Sequence, residues 1–220
     1  MSGRPWIACL DLEGVLVPEI WINVAERTGI EELRLTTRDI ADYDQLMRHR
    51  FKVLDEHGLR FGDITSVIAT MSPYPGAVDF LNWLKKHHQV VILSDTFAEF
   101  AVPLMDQLGS PTMFCHNLVL DDNRLVDYRL RLPDQKRASV LAFAELGFNT
   151  LAMGDSYNDV AMLLAAQAGV LFKPPPRVVE EFPDLPVVNS YQEAQLVIAD
   201  CENRDILGLG ANNLSGNLVP

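Results

Sequence analysis

Cysteine is scarce in this chain of 220 residues, limited to Cys9, Cys115 and Cys201. Three cysteines cannot form a fully paired disulfide framework, and so sparse a set suits a reducing compartment. With no Cys-x-x-Cys pair and no Cys/His cluster, nothing in the sequence points to zinc. Positive charge is also short. Eighteen Lys and Arg face 30 Asp and Glu, a formal net charge of −12, and that field repels a nucleic-acid backbone and disfavours polybasic membrane contact. Long apolar runs are missing too. Trp6–Leu10 stops at Asp11, short of the roughly 7–15 residues of a signal-peptide apolar region. Ala161–Phe172 is broken by Gln167 and Gly169 and falls short of the roughly 18 residues of a membrane span. The expectation is a soluble cytoplasmic protein, monomer or homodimer, with no nucleic-acid or membrane partner.

What is present is enough to fill a core: 48% of the residues are hydrophobic. Continuous apolar runs end at Asp11 and recur at Val90–Leu93, Thr150–Met153 and Gly169–Phe172, the pattern of buried parallel strands. Between them lie helical periods at Ala77–His87, Phe97–Leu108, Lys136–Leu146 and Asn158–Ala166. This alternation predicts an α/β fold with a Rossmann-like three-layer parallel sheet. Two stretches break it. Ile20–Thr28, Asp42–Glu56 and Asp63–Ala69 read as helices inserted after the first strand. Met113–Leu120 and Leu125–Leu132 flank Asp121-Asp122-Asn123-Arg124 and predict a β-hairpin decorating the sheet. The expected organisation is a core of residues 1–17 and 73–205, a small helical cap over 18–72, and a flexible tail over 206–220, rich in Gly and Asn.

Ligands of open α/β sheets bind outside the carboxyl ends of the strands, so the residues after each apolar run are the candidates. The first run ends in Asp11-Leu12-Glu13-Gly14-Val15, the second in Ser94-Asp95-Thr96, and the third in Gly154-Asp155-Ser156-Tyr157-Asn158-Asp159; Lys136 opens the helix before the third. Singly, each has an ordinary reading. Acidic residues start turns, Ser, Asp and Thr cap helices, and a lysine near a helix start is commonly solvated. Their order and placement together are far more specific. No Gly-x-Ser-x-Gly elbow or Walker phosphate loop competes with them.

As a set they resemble the four motifs of the haloacid-dehalogenase-type phosphohydrolases, with the inserted helices where those enzymes carry a cap. The resemblance runs to about residue 200. More closely, the opening Asp-Leu-Glu-Gly-Val-Leu-Val-Pro-Glu, the insertion with Glu19 and Arg50, and Gly-Asp-Ser-Tyr-Asn-Asp are similar to the phosphoserine phosphatases of that family that also transfer the phosphoryl group to homoserine. The resemblance implies Mg²⁺-dependent transfer through an aspartyl-phosphate on Asp11, with phosphoserine as donor and water or homoserine as acceptor. Asp11, Asp155 and the backbone carbonyl of Glu13 would hold Mg²⁺, with Asp159 steadying the shell, and hard oxygen ligands suit that ion. Ser94 and Lys136 would bind the phosphoryl oxygens.

Glu13 stands where the family more often has Asp as general acid and base, and its extra methylene moves the carboxyl relative to leaving group and attacking water. The same resemblance puts Arg50 on the substrate carboxylate and Glu19 on its ammonium. The ordinary alternatives are a solvated helix face bearing Arg48, Arg50 and Lys52, and a first-turn acid at Glu19. Asn158 and Asp95 each either touch substrate or hold the loop. Two rival functions remain: a phosphatase for another small phosphate ester or a nucleotide, and a noncatalytic phosphoryl-responsive binding module.

Overall fold

A computed structural model describes residues 4–37, 39–40 and 42–206. The tail expected to be flexible lies, from residue 207 onward, outside the described residues.

β1 (Trp6–Leu10) pairs in parallel with β2 (Gln89–Phe97) on one side and β5 (Asn149–Gly154) on the other. The side chains of β1 alternate, Ala8 and Leu10 packing into the core on one face and Ile7 and Cys9 into the core on the opposite face. A strand buried on both faces carries no polar alternation, which is why its sequence is a continuous apolar run. With β3 (Thr112–Asp121), β4 (Arg124–Arg129), β6 (Ala168–Phe172) and β7 (Val187–Val188), the strand order is β4-β3-β2-β1-β5-β6-β7. Only β4 runs antiparallel among the named strand pairs. The chain leaves β1 towards β2 and β3, and leaves β5 towards β6 and β7. The direction of winding therefore reverses between β1 and β5, where a doubly wound sheet opens a ligand crevice at its carboxyl edge.

Four helical segments follow β1: α1 (Ile20–Thr28), a 3₁₀ turn (Glu31–Arg34), α2 (Tyr43–Glu56) and α3 (Phe61–Ile68). Gly29 ends α1 in the left-handed region at φ 73°, and Asp42 caps α2 by accepting the Gln45 N–H at 2.8 Å. Helix α3 begins two residues before the expected Asp63. That carboxylate does not stand at the helix start but reaches back to the Arg60 N–H at 2.7 Å.

The core helices are α4 (Ala77–His87), α5 (Ala98–Gln107), α6 (Gln135–Glu145) and α7 (Tyr157–Ala165), as the periodicity predicted to within a residue or two. After β6 come α8 (Pro176–Glu181) and α9 (Tyr191–Ile206), which the sequence reading did not identify. Among the described residues no helix is long and apolar enough to cross a membrane, and Cys9, Cys115 and Cys201 are buried and form no disulfide.

Candidate active site

Asp11 follows β1 directly, and its N–H donates to Met153 O at 2.9 Å. This bond sets Asp11 level with the end of β5, one turn of loop from Asp155. The two loops meet closely. A Cβ on Gly14, which sits at φ 77°, would lie 2.4 Å from the Asp155 carboxyl carbon, so both the backbone angle and the space demand glycine there. Gly154 is equally constrained, since its Cβ would meet the Asp159 side chain at 2.3 Å.

Lys136 comes from the first turn of α6, after Asp134 in the left-handed region at φ 48°. A buried lysine at the positive end of a helix is doubly unfavourable, so its position follows from its partners. Its Nζ lies 2.8 Å from Asp11 Oδ1, 2.7 Å from Asp159 Oδ1 and 3.7 Å from Asp95 Oδ2. Burial alone would lower the ammonium; these carboxylates outweigh it and hold the proton on well above the ordinary range. Asp159 is fully buried behind the lysine, and its Oδ2 accepts the N–H groups of Asp155 at 3.0 Å and Ser156 at 3.1 Å. It thereby fixes the lysine and the loop bearing Asp155 at once.

Asp11, Asp155 and Asp159 present carboxylate oxygens within 4.8 Å of one another, with the single ammonium of Lys136 against them. Burial, then Asp159 and Asp155, push the Asp11 carboxyl up despite Lys136. Hard oxygen donors carrying excess negative charge are the donor set that Mg²⁺ takes, and these residues fit it.

Ser94, Asp95 and Thr96 sit where the pairing of β2 with β3 shifts register, between Leu93↔Phe114 and Phe97↔His116. Three residues of β2 therefore span one of β3, and the segment is lifted off the ladder to face the crevice. The buried Ser94 Oγ accepts the Thr96 N–H at 3.2 Å, which leaves its hydroxyl proton to donate. Glu13 Oε2 accepts the N–H of Ile20, the first residue of α1, at 2.8 Å. Burial and then Glu19 push its carboxyl up to about 8, against the Ile20 N–H, Arg50 and Thr96.

From the insertion, Arg50 is 6% exposed. Its Nη2 donates to Leu35 O at 2.9 Å, its Nη1 reaches Met47 Sδ at 3.5 Å, and its guanidinium lies 4.6 Å from the Trp21 ring centroid. Nε has no partner among the described residues. Arg48 and Lys52, by contrast, are exposed and pair on the surface, so the solvated-face reading holds for them and not for Arg50.

One cavity of about 90 Å³ is lined by Asp11, Glu13, Glu19, Arg50, Ser94, Asp95, Lys136, Asp155 and Asn158 together. Asp159, fully buried, is not part of that wall. Asn158 donates to Asp95 Oδ2 at 3.3 Å and accepts from Ser156 Oγ at 2.5 Å, so it holds the wall as well as facing the cavity. Trp21, Tyr43 and Thr96 also line the cavity, and His116 and Gln135 back it through Asp95 and Ser94. Sequence reasoning passed over all five. Thr96 stood inside a recognised motif, and the other four carried no local signal.

A doubly wound sheet with clustered carboxylates and a buried lysine at its winding reversal belongs to the class of α/β folds that can receive a phosphoryl group there. The chain belongs to the haloacid dehalogenase-like hydrolase family, whose model matches residues 7–167. It is 56% identical over 202 residues to a phosphoserine phosphatase of Pseudomonas syringae pv. tomato, covering 91% of this chain and 85% of the relative. It is 56% identical over 201 residues to the phosphoserine phosphatase ThrH of Pseudomonas aeruginosa, covering 91% and 98%. Its fold is shared with a solved phospho-aspartyl intermediate analogue of phosphoserine phosphatase, at a TM-score of 0.72 and 22% identity over 89% of this chain and 98% of that one.

Proposed function

We propose that this protein is a phosphoserine phosphatase that uses Mg²⁺ and also passes the phosphoryl group to homoserine. The observation that carries the substrate is Arg50, a buried guanidinium with an unpartnered Nε in the same small cavity as Asp11. A buried donor left unpaired is costly, and the carboxylate of an amino-acid substrate satisfies it. Glu19, on the same wall, complements the ammonium. The names of the two 56%-identical relatives support the same substrate. The cavity of about 90 Å³ adjoins a larger one of about 1030 Å³ along Tyr43, Asp95 and Asn158, so the choice of an amino acid over a nucleotide rests on Arg50 and Glu19 and not on size.

In this reading residues 18–72 act as a cap on a core of 1–17 and 73–205, delivering Arg50 and Glu19 to the substrate and excluding bulk water. Asp11, with Oδ1 held by Lys136 and the Leu12 N–H, attacks phosphorus and forms the aspartyl-phosphate. Ser94 and Lys136 donate to the phosphoryl oxygens. Glu13, neutral below about pH 8, gives its proton to the leaving serine oxygen and then takes one from water or from the homoserine hydroxyl. Asp11, Asp155 and the Glu13 carbonyl would hold Mg²⁺ with Asp159 behind them, and the ion supplies neutralisation of phosphoryl charge.

The test is turnover of L-phosphoserine with Mg²⁺, followed for inorganic phosphate and, with homoserine added, for phosphohomoserine, with Asp11→Asn as blank. Both products are expected. Phosphate alone removes the transferase, and no metal-dependent turnover removes phosphoserine.

A further inference from the structure

His116 lies at the far end of the register shift that lifts Ser94–Thr96 from the sheet, paired with Phe97. Its ring is 3% exposed. Nδ1 accepts the backbone N–H of Arg131 at 3.2 Å, and a ring nitrogen that accepts carries no proton, so the proton of the ring is on Nε2. Nε2 points at Asp95, 3.5 Å from Oδ1. Tyr43 from α2 meets the same ring edge-on at a centroid distance of 6.3 Å, and its hydroxyl donates to Asp95 O at 2.8 Å.

Asp95 thus stands between the site cavity and a second, larger cavity lined by His116 and Gln135, and is held from that second side. There, Oδ1 meets His116 and Gln135 Nε2, the latter at 3.5 Å. Oδ2 meets Asn158 at 3.3 Å and Lys136 at 3.7 Å. A carboxylate on the wall of a cavity that receives a phosphoryl dianion is repulsive unless its charge is committed to fixed donors. Lys136 itself is shared among three carboxylates and needs a fixed geometry to present its charge to a fourth anion.

We infer that His116 is a positioning residue: its Nε2–H holds Asp95 in the orientation that fixes Lys136 and Asn158 on the cavity wall. The inference rests on the reading of this cavity as a phosphoryl-transfer site. Without the ring, Asp95 is released to turn toward the incoming phosphoryl group, and the chemical step suffers while Arg50 and Glu19 still bind the amino-acid head. Residues that orient metal ligands typically cost about 10–100-fold when lost, and a loss at the lower end of that range is expected for a residue orienting Asp95.

The experiment compares His116→Leu, His116→Asn and His116→Gln, alone and combined with Asp95→Asn, on phosphoserine and on p-nitrophenyl phosphate, with thermal unfolding as the check on folding. Gln places an N–H near Nε2. Asn keeps a polar group near Nδ1, cannot reach Asp95, and serves where Leu impairs folding. Leu and Asn are expected to lower kcat about tenfold or more on both substrates with KM for phosphoserine little changed, and Gln to restore most of kcat. In the Asp95→Asn background the same substitutions are expected to cost little more.

Equal losses in Gln, Asn and Leu, or an undiminished loss in the Asp95→Asn background, would overturn the inference by showing that the ring acts through packing alone. Wild type active on p-nitrophenyl phosphate and inactive on phosphoserine removes the proposed substrate, and the positioning role then stands or falls on the first compound. Wild type inactive on both removes the phosphatase reading and the inference with it.

Discussion

In the proposed reaction Glu13 is the residue at which chemistry and the inserted helices meet. It stands two positions after Asp11, yet its carboxyl is spent partly on the first N–H of α1. Aspartate there is one methylene shorter and cannot keep that bond from the same backbone position. Glu13→Asp is therefore expected to loosen the link to α1 and to raise the share of phosphoenzyme going to water over homoserine. The ratio of phosphate to phosphohomoserine at fixed homoserine measures this, and an unchanged ratio sinks it. If Arg50 binds the substrate carboxylate as proposed, it separates binding from chemistry. Lysine lacks the planar fork, so Arg50→Lys is expected to raise KM for phosphoserine about tenfold, with a smaller change in kcat and little effect on p-nitrophenyl phosphate. That Asp11, Ser94, Lys136 and Asp155 meet at one cavity was legible because they follow strands or open a helix in a fixed order, whereas Arg50 was reached only through the resemblance. His116 and Gln135 were not legible, because each acts through a contact with a residue some 20 to 40 positions away in the chain, and no local pattern encodes it.

Among the elements, the β3–β4 hairpin has a second role beside edging the sheet. Its turn residues Asp122 and Asn123 have φ of 41° and 66°, the two positive values of a tight hairpin turn. That turn caps α3: Asn123 O accepts the Phe61 N–H at 2.9 Å and Asn123 Oδ1 the Gly62 N–H at 3.2 Å. Alongside, Arg124 reaches Asp55 with two N–H groups, Arg48 pairs with Asp127 at 3.2 Å, and Tyr128 donates to Asp44 at 2.9 Å. Losing a side-chain cap costs about 1 kcal/mol, or about 2–4 °C in Tm for a chain of this size, which is the expected effect of Asn123→Ala in a melting experiment. Arg124→Ala is expected to matter less and in a condition-dependent way. Hydrogen bonds from Arg124 hold the Asp55 carboxyl below its ordinary value, so the contact contributes above the usual carboxylate range and is lost as pH falls through the lowered value. The Tm difference between wild type and Arg124→Ala should therefore shrink in acid and in high salt; a constant difference would show that the pair contributes nothing. The sequence announced both halves of this interface, as amphipathic helices and as a polar turn between β-runs. It did not announce their meeting, because exposed polar residues such as Asn123 and Asp55 read the same whether they face water or each other. After β6, β7 has two residues and α8 six, and neither is long enough to establish a period; α9, at 16 residues, does carry one in its buried Tyr191, Ala194, Ile198 and Cys201 and was passed over.

For the whole molecule, the net charge of −12 and the three clustered carboxylates act in the same direction, since both make a bound cation favourable. Metal that binds the folded chain and not the unfolded one stabilises it by mass action, about 2.7 kcal/mol at a hundredfold excess over Kd, which corresponds to roughly 5–11 °C in Tm at this length. Melting with excess Mg²⁺ against melting with EDTA is expected to show a shift of that order, without any substrate present. General screening of surface charge by a divalent salt also raises Tm, so the discriminating control is Asp155→Asn, which leaves −11 on the chain and removes one proposed ligand. If the site carries the effect, that single substitution abolishes most of the shift while wild type retains it in a background of 0.5 M monovalent salt. A shift that survives Asp155→Asn and disappears in salt would assign the stabilisation to the acidic surface and take Mg²⁺ out of the site.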